Sequence, residues 1–162
     1  MRLLPIACLV ACMAATVVPR SAYSAETAAP FTLKGLDGKP LKLSDYKGQP
    51  VVLDFWATWC APCRASMPHL NLLQEHYQSQ GLVVIGLSVD DEPAPFVRRY
   101  AGRLGVRFRM ALASEAVLDD YGPIRSIPTT LFINRKGEVV RRVTGYIDAE
   151  TMDGFAQEIV GK

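Results

Sequence analysis

The chain has 162 residues, a length that fits one domain with a short leader. Hydrophobic residues make up 49% and charged residues 21% of the sequence, a composition that excludes a disordered chain. The formal net charge is +2, and outside residues 1–25 the 16 acidic side chains are matched by 16 basic ones. This balance argues against a nucleic-acid binder and against a polybasic membrane-surface protein.

Residues 1–24 have the pattern of a secretory signal peptide. Arg2 supplies the positive start, and an uncharged, mostly apolar run from 3 to 18 follows it. Ala22-Tyr-Ser24 fits the small-x-small cleavage motif, which makes Ala25 the first residue of the mature protein. We expect export to a compartment where disulfides form, with the leader either cleaved or kept as a membrane anchor.

Residues 25–162 predict a single α/β domain. Alternating segments at 31–33 and 41–43 flank an Asp-Gly turn and predict an N-terminal hairpin, preceded by a polar linker at 26–30. The later elements are predicted in the order strand 51–56, helix 61–80, strand 82–89, helix 93–103, strand 106–110, helix 114–121, strands 129–133 and 138–143, and helix 148–160. This alternation indicates a mostly parallel sheet covered on both faces, with antiparallel edges added by the last hairpin.

Cys60 and Cys63 are the two cysteines outside the leader, and they lie in the segment Trp59-Cys60-Ala61-Pro62-Cys63. The segment joins a buried strand to a helix start, where free N–H groups and the helix dipole stabilise an anion. We therefore predict that Cys60 has a lowered pKa and that its thiolate attacks a substrate disulfide. Cys63, one helical turn later, is then the resolving thiol that closes a Cys60–Cys63 disulfide.

Asp54 interrupts the apolar run of the predicted strand 51–56. Burial disfavours a charged carboxylate, so we expect a raised pKa for this side chain. His69 and His76 lack the spacing of a metal site, and we predict no metal centre.

These motifs resemble those of the thioredoxin superfamily. The Trp-Cys-x-Pro-Cys match at 59–63 is direct, and Pro68 stands where that family has its helix kink. Ile127-Pro128-Thr129 looks like the family's cis-proline motif, and Gly145 falls where the family has a glycine in its late hairpin. The resemblance implies a thioredoxin-like fold: a central mixed sheet flanked by helices.

The leader, the N-terminal hairpin and the added strand–helix segment near 82–103 are similar to the TlpA/ResA branch of periplasmic thiol–disulfide oxidoreductases. The likeness covers about residues 28–160. It implies a periplasmic location, no bound cofactor, and disulfide-containing client proteins such as apocytochrome c or copper-site assembly proteins. It also implies a membrane protein that supplies thiol electrons from the cytosol.

The resemblance also implies roles for individual side chains. It places an acid at Asp54, behind the buried cysteine, where we predict proton transfer to and from Cys63. Some members of the branch instead use an acid after the next strand, and Asp91 is the corresponding residue by position. The working acid is thus either Asp54 or Asp91.

The predicted client-binding residues surround the two sulfurs. The family places the Pro128 loop against them, with the backbone of Ile127 pairing with an extended substrate segment. Trp59 and Pro62 are predicted to contribute to the surface that faces the client.

Several other functions remain open on the same residues. The Ala-Pro dipeptide between the cysteines resembles that of reducing members, but an oxidant or an isomerase would use the same pair. A Cu(I) metallochaperone binding through Cys60 and Cys63 lacks an evident third ligand. A peroxidase is less favoured, because the resolving cysteine is adjacent rather than distant.

Overall fold

The computed structural model describes residues 26–122 and 124–161, and the predicted signal peptide, 1–24, lies outside them. The strands are β1 Glu26–Thr27, β2 Thr32–Lys34, β3 Pro40–Lys42, β4 Val51–Trp56, β5 Val83–Ser88, β6 Arg109–Leu112, β7 Thr129–Ile133 and β8 Glu138–Thr144. The helices are α1 Ala61–Tyr77, α2 Ala94–Arg103, α3 Glu115–Asp120 and α4 Ala149–Val160. None of the helices in these described ranges is both long enough and apolar enough to cross a bilayer.

Six strands form one mixed sheet in the order β1-β8-β7-β4-β5-β6. β4, β5 and β6 are parallel, whereas β7, β8 and β1 are joined to them and to one another by antiparallel pairing. The mixed sheet flanked by helices confirms the predicted fold class. The interpretation as a mostly parallel sheet is wrong in one respect, because β7 lies in the interior of the sheet, beside β4.

The predicted linker at 26–30 begins with a short strand. Glu26–Thr27 pairs with β8, and the Tyr121 hydroxyl donates to the Ala29 carbonyl oxygen at 2.8 Å. Backbone pairing, rather than burial of side chains, stabilises this edge strand. Its polar, alanine-rich sequence therefore shows no alternation of apolar and polar residues. The predicted strand 106–110 also moves, to Arg109–Leu112, where it pairs with β5.

The hairpin β2–β3 forms a separate two-stranded sheet, confirming the predicted N-terminal extension. Side chains of β4 alternate between two apolar layers, with Val52 and Trp56 on one face and Leu53 and Phe55 on the other. The first layer is covered by α1, α2 and α4, and the second by the hairpin and α3. Because β4, β5 and β6 are parallel, their carboxyl ends lie along one edge of the sheet, and α1 begins at this edge.

Gly86 in β5 pairs with Asp54, and the space above it is filled by neighbouring side chains. A Cβ there would lie 3.0 Å from Met110 Cε and 3.2 Å from Phe108 Cε2. We expect Gly86→Val to lower the free energy of unfolding by about 1–3 kcal/mol, because the added methyl groups must displace both side chains. Urea unfolding measures this.

Gly102→Ala is the matched control, since a Cβ at this exposed position of α2 meets no atom within 4 Å. It should raise the free energy of unfolding by about 0.5–1 kcal/mol, as alanine restricts the unfolded chain and favours the helix. Equal destabilisation by both substitutions would contradict the packing assigned to Gly86.

Candidate active site

The loop after β4 places Cys60 at the N-cap of α1. The Cys60 N–H donates to the Ala57 carbonyl oxygen at 3.2 Å, and the Cys60 carbonyl oxygen accepts from the Arg64 N–H at 3.2 Å. Pro62 stands in the first helical turn, where its missing N–H leaves no helical bond unmade. The sequence therefore directs the first cysteine of the pair to the helix terminus.

Cys60 and Cys63 form a disulfide with their Cα atoms 5.3 Å apart. The Cys63 N–H donates to Cys60 Sγ at 3.2 Å, so a backbone donor at the helix terminus already points at this sulfur. The Cys60 side chain is 5% exposed, and Cys63 is fully buried. An incoming reactant therefore meets Cys60, with Cys63 behind it.

Asp54 is fully buried, and its place between Val52 and Trp56 in β4 directs its side chain to the face of the sheet on which Cys63 lies. Its Oδ1 accepts from the Thr130 hydroxyl at 2.8 Å, whereas Oδ2 has no hydrogen-bond partner among the described residues. Burial raises the pKa of Asp54 from 3.8 to about 7, and the single bond from Thr130 only partly opposes this. Near neutral pH this carboxyl group can both accept and release a proton.

The loop before β7 contains a cis peptide bond between Ile127 and Pro128, the conformation that the sequence motif predicts. The Pro128 carbonyl oxygen accepts from the Gly145 N–H at 2.8 Å, and the Thr129 hydroxyl donates to the Ser126 carbonyl oxygen at 2.7 Å. These bonds tie the loop to the end of β8 and fix its course.

Trp59 and Ile127, which the sequence predicts to contact a client, line one surface groove of about 340 Å³. The remaining lining residues are Val89, Ile124, Arg125 and Ser126. The Trp59 side chain is 67% exposed, although indole rings are highly buried on average. This ring is therefore accessible to a partner. Pro62 is also exposed but does not line this groove.

The prediction of Asp91 as the acid after β5 does not match the orientation of this loop. Asp91 is exposed, whereas Asp90 is buried and accepts hydrogen bonds from Thr58 and Ser88. Side chains alternate along extended backbone, so residue 90 continues the inward face of Ser88 and residue 91 points outward. The alternation of side chains, rather than position along the sequence, decides which of the adjacent acids faces inward.

The structure adds a contact to the site that the sequence patterns do not indicate. Thr58 donates its hydroxyl to Asp90, and its carbonyl oxygen accepts from Arg64. Thr58 and Asp90 are 32 positions apart, so no local pattern links them. The sequence offers one indication that the two residues meet: Thr58 and Asp90 each follow the carboxyl end of one of two adjacent parallel strands.

Within residues 26–122 and 124–161 no group of three or more histidine, cysteine, aspartate or glutamate side chains could hold a metal ion. The cysteine pair therefore has no further ligand of these types in this part of the chain. The arrangement is suited to thiol–disulfide exchange, in which sulfur atoms alone form and break bonds.

Comparison with known proteins agrees with this chemistry. Residues 25–142 match the model of the AhpC/TSA family. The thiol-disulfide oxidoreductase ResA of Geobacillus thermodenitrificans is 37% identical over 134 residues, which cover 82% of this chain and 76% of that protein. ResA of Halalkalibacterium halodurans is 36% identical over 139 residues, covering 85% and 78%.

A solved structure has the same fold. The thiol:disulfide interchange protein of the thioredoxin family from Chlorobium tepidum TLS superposes with a TM-score of 0.78 at 27% identity, covering 85% of this chain and 97% of its own. Together with the cysteine pair at the start of α1, these matches show that the chain belongs to the AhpC/TSA family of the thioredoxin superfamily and is a thiol–disulfide oxidoreductase.

Proposed function

We propose that this protein is exported and reduces disulfide bonds in client proteins of the periplasm. The observation that carries the proposal is the asymmetry of the pair, with Cys60 at the helix terminus and Cys63 buried behind it. Residues 1–24 would direct export and residues 25–162 would form the catalytic domain. The leader is then either cleaved or kept as an anchor.

In the first step the reduced protein uses Cys60 as the nucleophile. The N-terminal amides of α1 stabilise its thiolate, which attacks one sulfur of the client disulfide. The client S–S bond breaks, a mixed disulfide forms between Cys60 and the client, and the other client sulfur leaves as a thiolate. Trp59 and the backbone of Ile127 would hold the client segment in the groove between them.

In the second step Cys63 resolves the mixed disulfide. Its thiol gives a proton to Asp54, and the resulting thiolate attacks Cys60 Sγ. The Cys60–Cys63 disulfide forms, and the bonded client sulfur leaves as a thiolate that takes up a proton from solvent. The client gains two electrons and the protein becomes oxidised. Asp54 supports this role because it is buried on the same side of the sheet as Cys63, with one unpartnered oxygen.

Repeated turnover requires a thiol donor that reduces Cys60–Cys63 again. We propose a membrane protein that carries thiol electrons from the cytosol, and clients such as apocytochrome c or copper-site assembly proteins. These partners follow from the likeness to the TlpA/ResA branch. No resident cofactor enters either step, because sulfur exchange supplies all of the bond changes.

Replacing Cys63 should arrest the reaction after its first step. We expect Cys63→Ser to accumulate mixed disulfides through Cys60, because no resolving thiol remains, and Cys60→Ser to accumulate far fewer. Non-reducing electrophoresis and mass spectrometry of adducts from a periplasmic extract measure both. Equal trapping by the two variants would overturn the assignment of Cys60 as the nucleophile.

The direction of the reaction is tested by equilibrium with glutathione. We expect the Cys60–Cys63 disulfide to be reduced only in strongly reducing mixtures, closer to the potential of about −270 mV of thioredoxin than to about −120 mV of DsbA. A bridge that is reduced in mild mixtures would instead assign the protein as an oxidant or isomerase.

Asp54→Asn should slow the second step specifically. We expect decay of a preformed mixed disulfide to fall on the order of 10²-fold, while formation of that disulfide by Cys60 is unchanged. In the unaltered protein the decay rate should rise with pH through about 7, as Asp54 becomes able to accept a proton, and the variant should lose this rise. Rapid-quench kinetics across pH measures both steps. If Asp91→Asn slows decay and Asp54→Asn does not, Asp91 is the working acid.

The same carboxyl group affects stability with a defined sign. A buried acid whose pKa is raised from 3.8 to about 7 binds its proton more tightly in the folded state, so stability falls as pH rises between these values. The full difference corresponds to about 4 kcal/mol. Asp54→Asn should remove this fall, and urea unfolding at pH 4 and pH 8 measures it. If stability falls between pH 4 and pH 8 by as much in the variant as in the unaltered protein, the raised pKa is contradicted.

A further inference from the structure

The loop that presents Cys60 is held at Thr58, two residues earlier. The Thr58 N–H donates to Asp90 Oδ2 at 3.0 Å, and its hydroxyl donates to Asp90 Oδ1 at 2.6 Å. Its carbonyl oxygen accepts from Arg64 Nη1 at 3.0 Å. Both backbone polar groups of this one residue are therefore bound by charged side chains, one from the loop after β5 and one from α1.

Asp90 is itself held in place. It is 9% exposed, and the fully buried Ser88 donates its hydroxyl to Asp90 Oδ2 at 2.6 Å. The Asp90 N–H donates back to Ser88 Oγ at 3.2 Å. Hydrogen bonds to an ionised carboxylate are stronger than neutral ones, so this cluster forms a stiff attachment point at the end of β5.

A second tie joins the same two loops. The Val89 N–H donates to the Trp56 carbonyl oxygen at 2.8 Å, immediately before the Cys60 loop. Trp59, between Thr58 and Cys60, is largely exposed, and Cys60 Sγ is bonded to Cys63 Sγ and accepts from the Cys63 N–H. The bonds at Thr58 thus fix, two residues before Cys60, the course of the loop that leads to the first amides of α1.

We propose that Asp90 and Thr58 are positioning residues that keep Cys60 at the terminus of α1 and so lower its thiol pKa. The proposal rests on the proposed function, in which Cys60 is the attacking thiol. The effect of a helix dipole fades within the first turn, so a small displacement of Cys60 removes much of the stabilisation of its thiolate. Small misplacements of reacting groups also reduce rates strongly.

The direction of the change in the Cys60 pKa distinguishes a positioning role of Asp90 from a direct effect of its charge. A carboxylate near a thiolate repels it and raises the thiol pKa, so loss of the Asp90 charge alone would lower the pKa of Cys60. Loss of positioning raises that pKa instead. Thr58→Val removes the 2.6 Å hydroxyl bond without any change of charge or branching, and a merely structural role would leave the titration of Cys60 unmoved.

The experiment measures the Cys60 pKa from the pH dependence of alkylation of the reduced protein, together with kcat/KM for a model disulfide at pH 7. We expect Thr58→Val and Asp90→Asn each to raise the pKa and to lower kcat/KM about three- to tenfold. The control is Glu92→Gln, which removes an exposed charge two residues from Asp90 and should change neither quantity.

The double variant tests whether the two side chains act through one bond. Thr58→Val combined with Asp90→Asn should lower kcat/KM no further than the more severe single variant, whereas independent roles would give multiplied losses. Thermal unfolding of the reduced forms checks that the fold persists. An unchanged pKa in Thr58→Val, a lowered pKa in Asp90→Asn, or multiplied losses would each overturn the proposal.

The alkylation measurement needs no client. If the unaltered protein fails to reduce disulfides, the proposed function fails while the Cys60 titration still reports on positioning. If it reduces them and the Thr58 and Asp90 variants titrate as the unaltered protein does, the positioning proposal alone fails.

Discussion

The hydrogen bond from the Cys63 N–H to Cys60 Sγ links the local fold of this protein to its chemistry. The first amides of any helix lack carbonyl partners, and here one of them faces a sulfur instead of a capping hydroxyl or carboxylate. This N–H group in the first turn of α1 is therefore available to stabilise a thiolate when the disulfide opens. The strand β4 and the loop after it serve to deliver that sulfur to the helix terminus.

Asp54 brings a second constraint, because a carboxyl group in the apolar layer beneath α1 is costly when charged. A neutral side chain at this position would give a more stable folded state, yet the protein has Asp54 there. The raised pKa gives this layer a group that exchanges protons near neutral pH. The site thus combines a sulfur placed in favourable electrostatics at the helix terminus with a buried acid placed in unfavourable electrostatics.

Features whose cause is local in sequence could be predicted well. The position of Cys60 before a helix and the burial of Asp54 within an apolar strand each follow from a few adjacent residues, whereas the cis bond before Pro128 follows from the likeness to the family's motif. Features set by pairing between distant segments could not. Neither the edge strand at Glu26–Thr27 nor the bond between Thr58 and Asp90, 32 positions apart, has a local signal. Both depend on which strand or loop lies next to them in the folded chain.

The central claim is that the terminus of α1 makes Cys60 the more acidic and more reactive thiol. The most direct measurement is a pH titration of the two thiols in the reduced protein, monitored by NMR of cysteines labelled at Cβ. The account predicts that Cys60 ionises well below the free-cysteine value of about 8.5 and that buried Cys63 ionises above it. Two thiols that both titrate near the free value, or a Cys63 that ionises first, would contradict it.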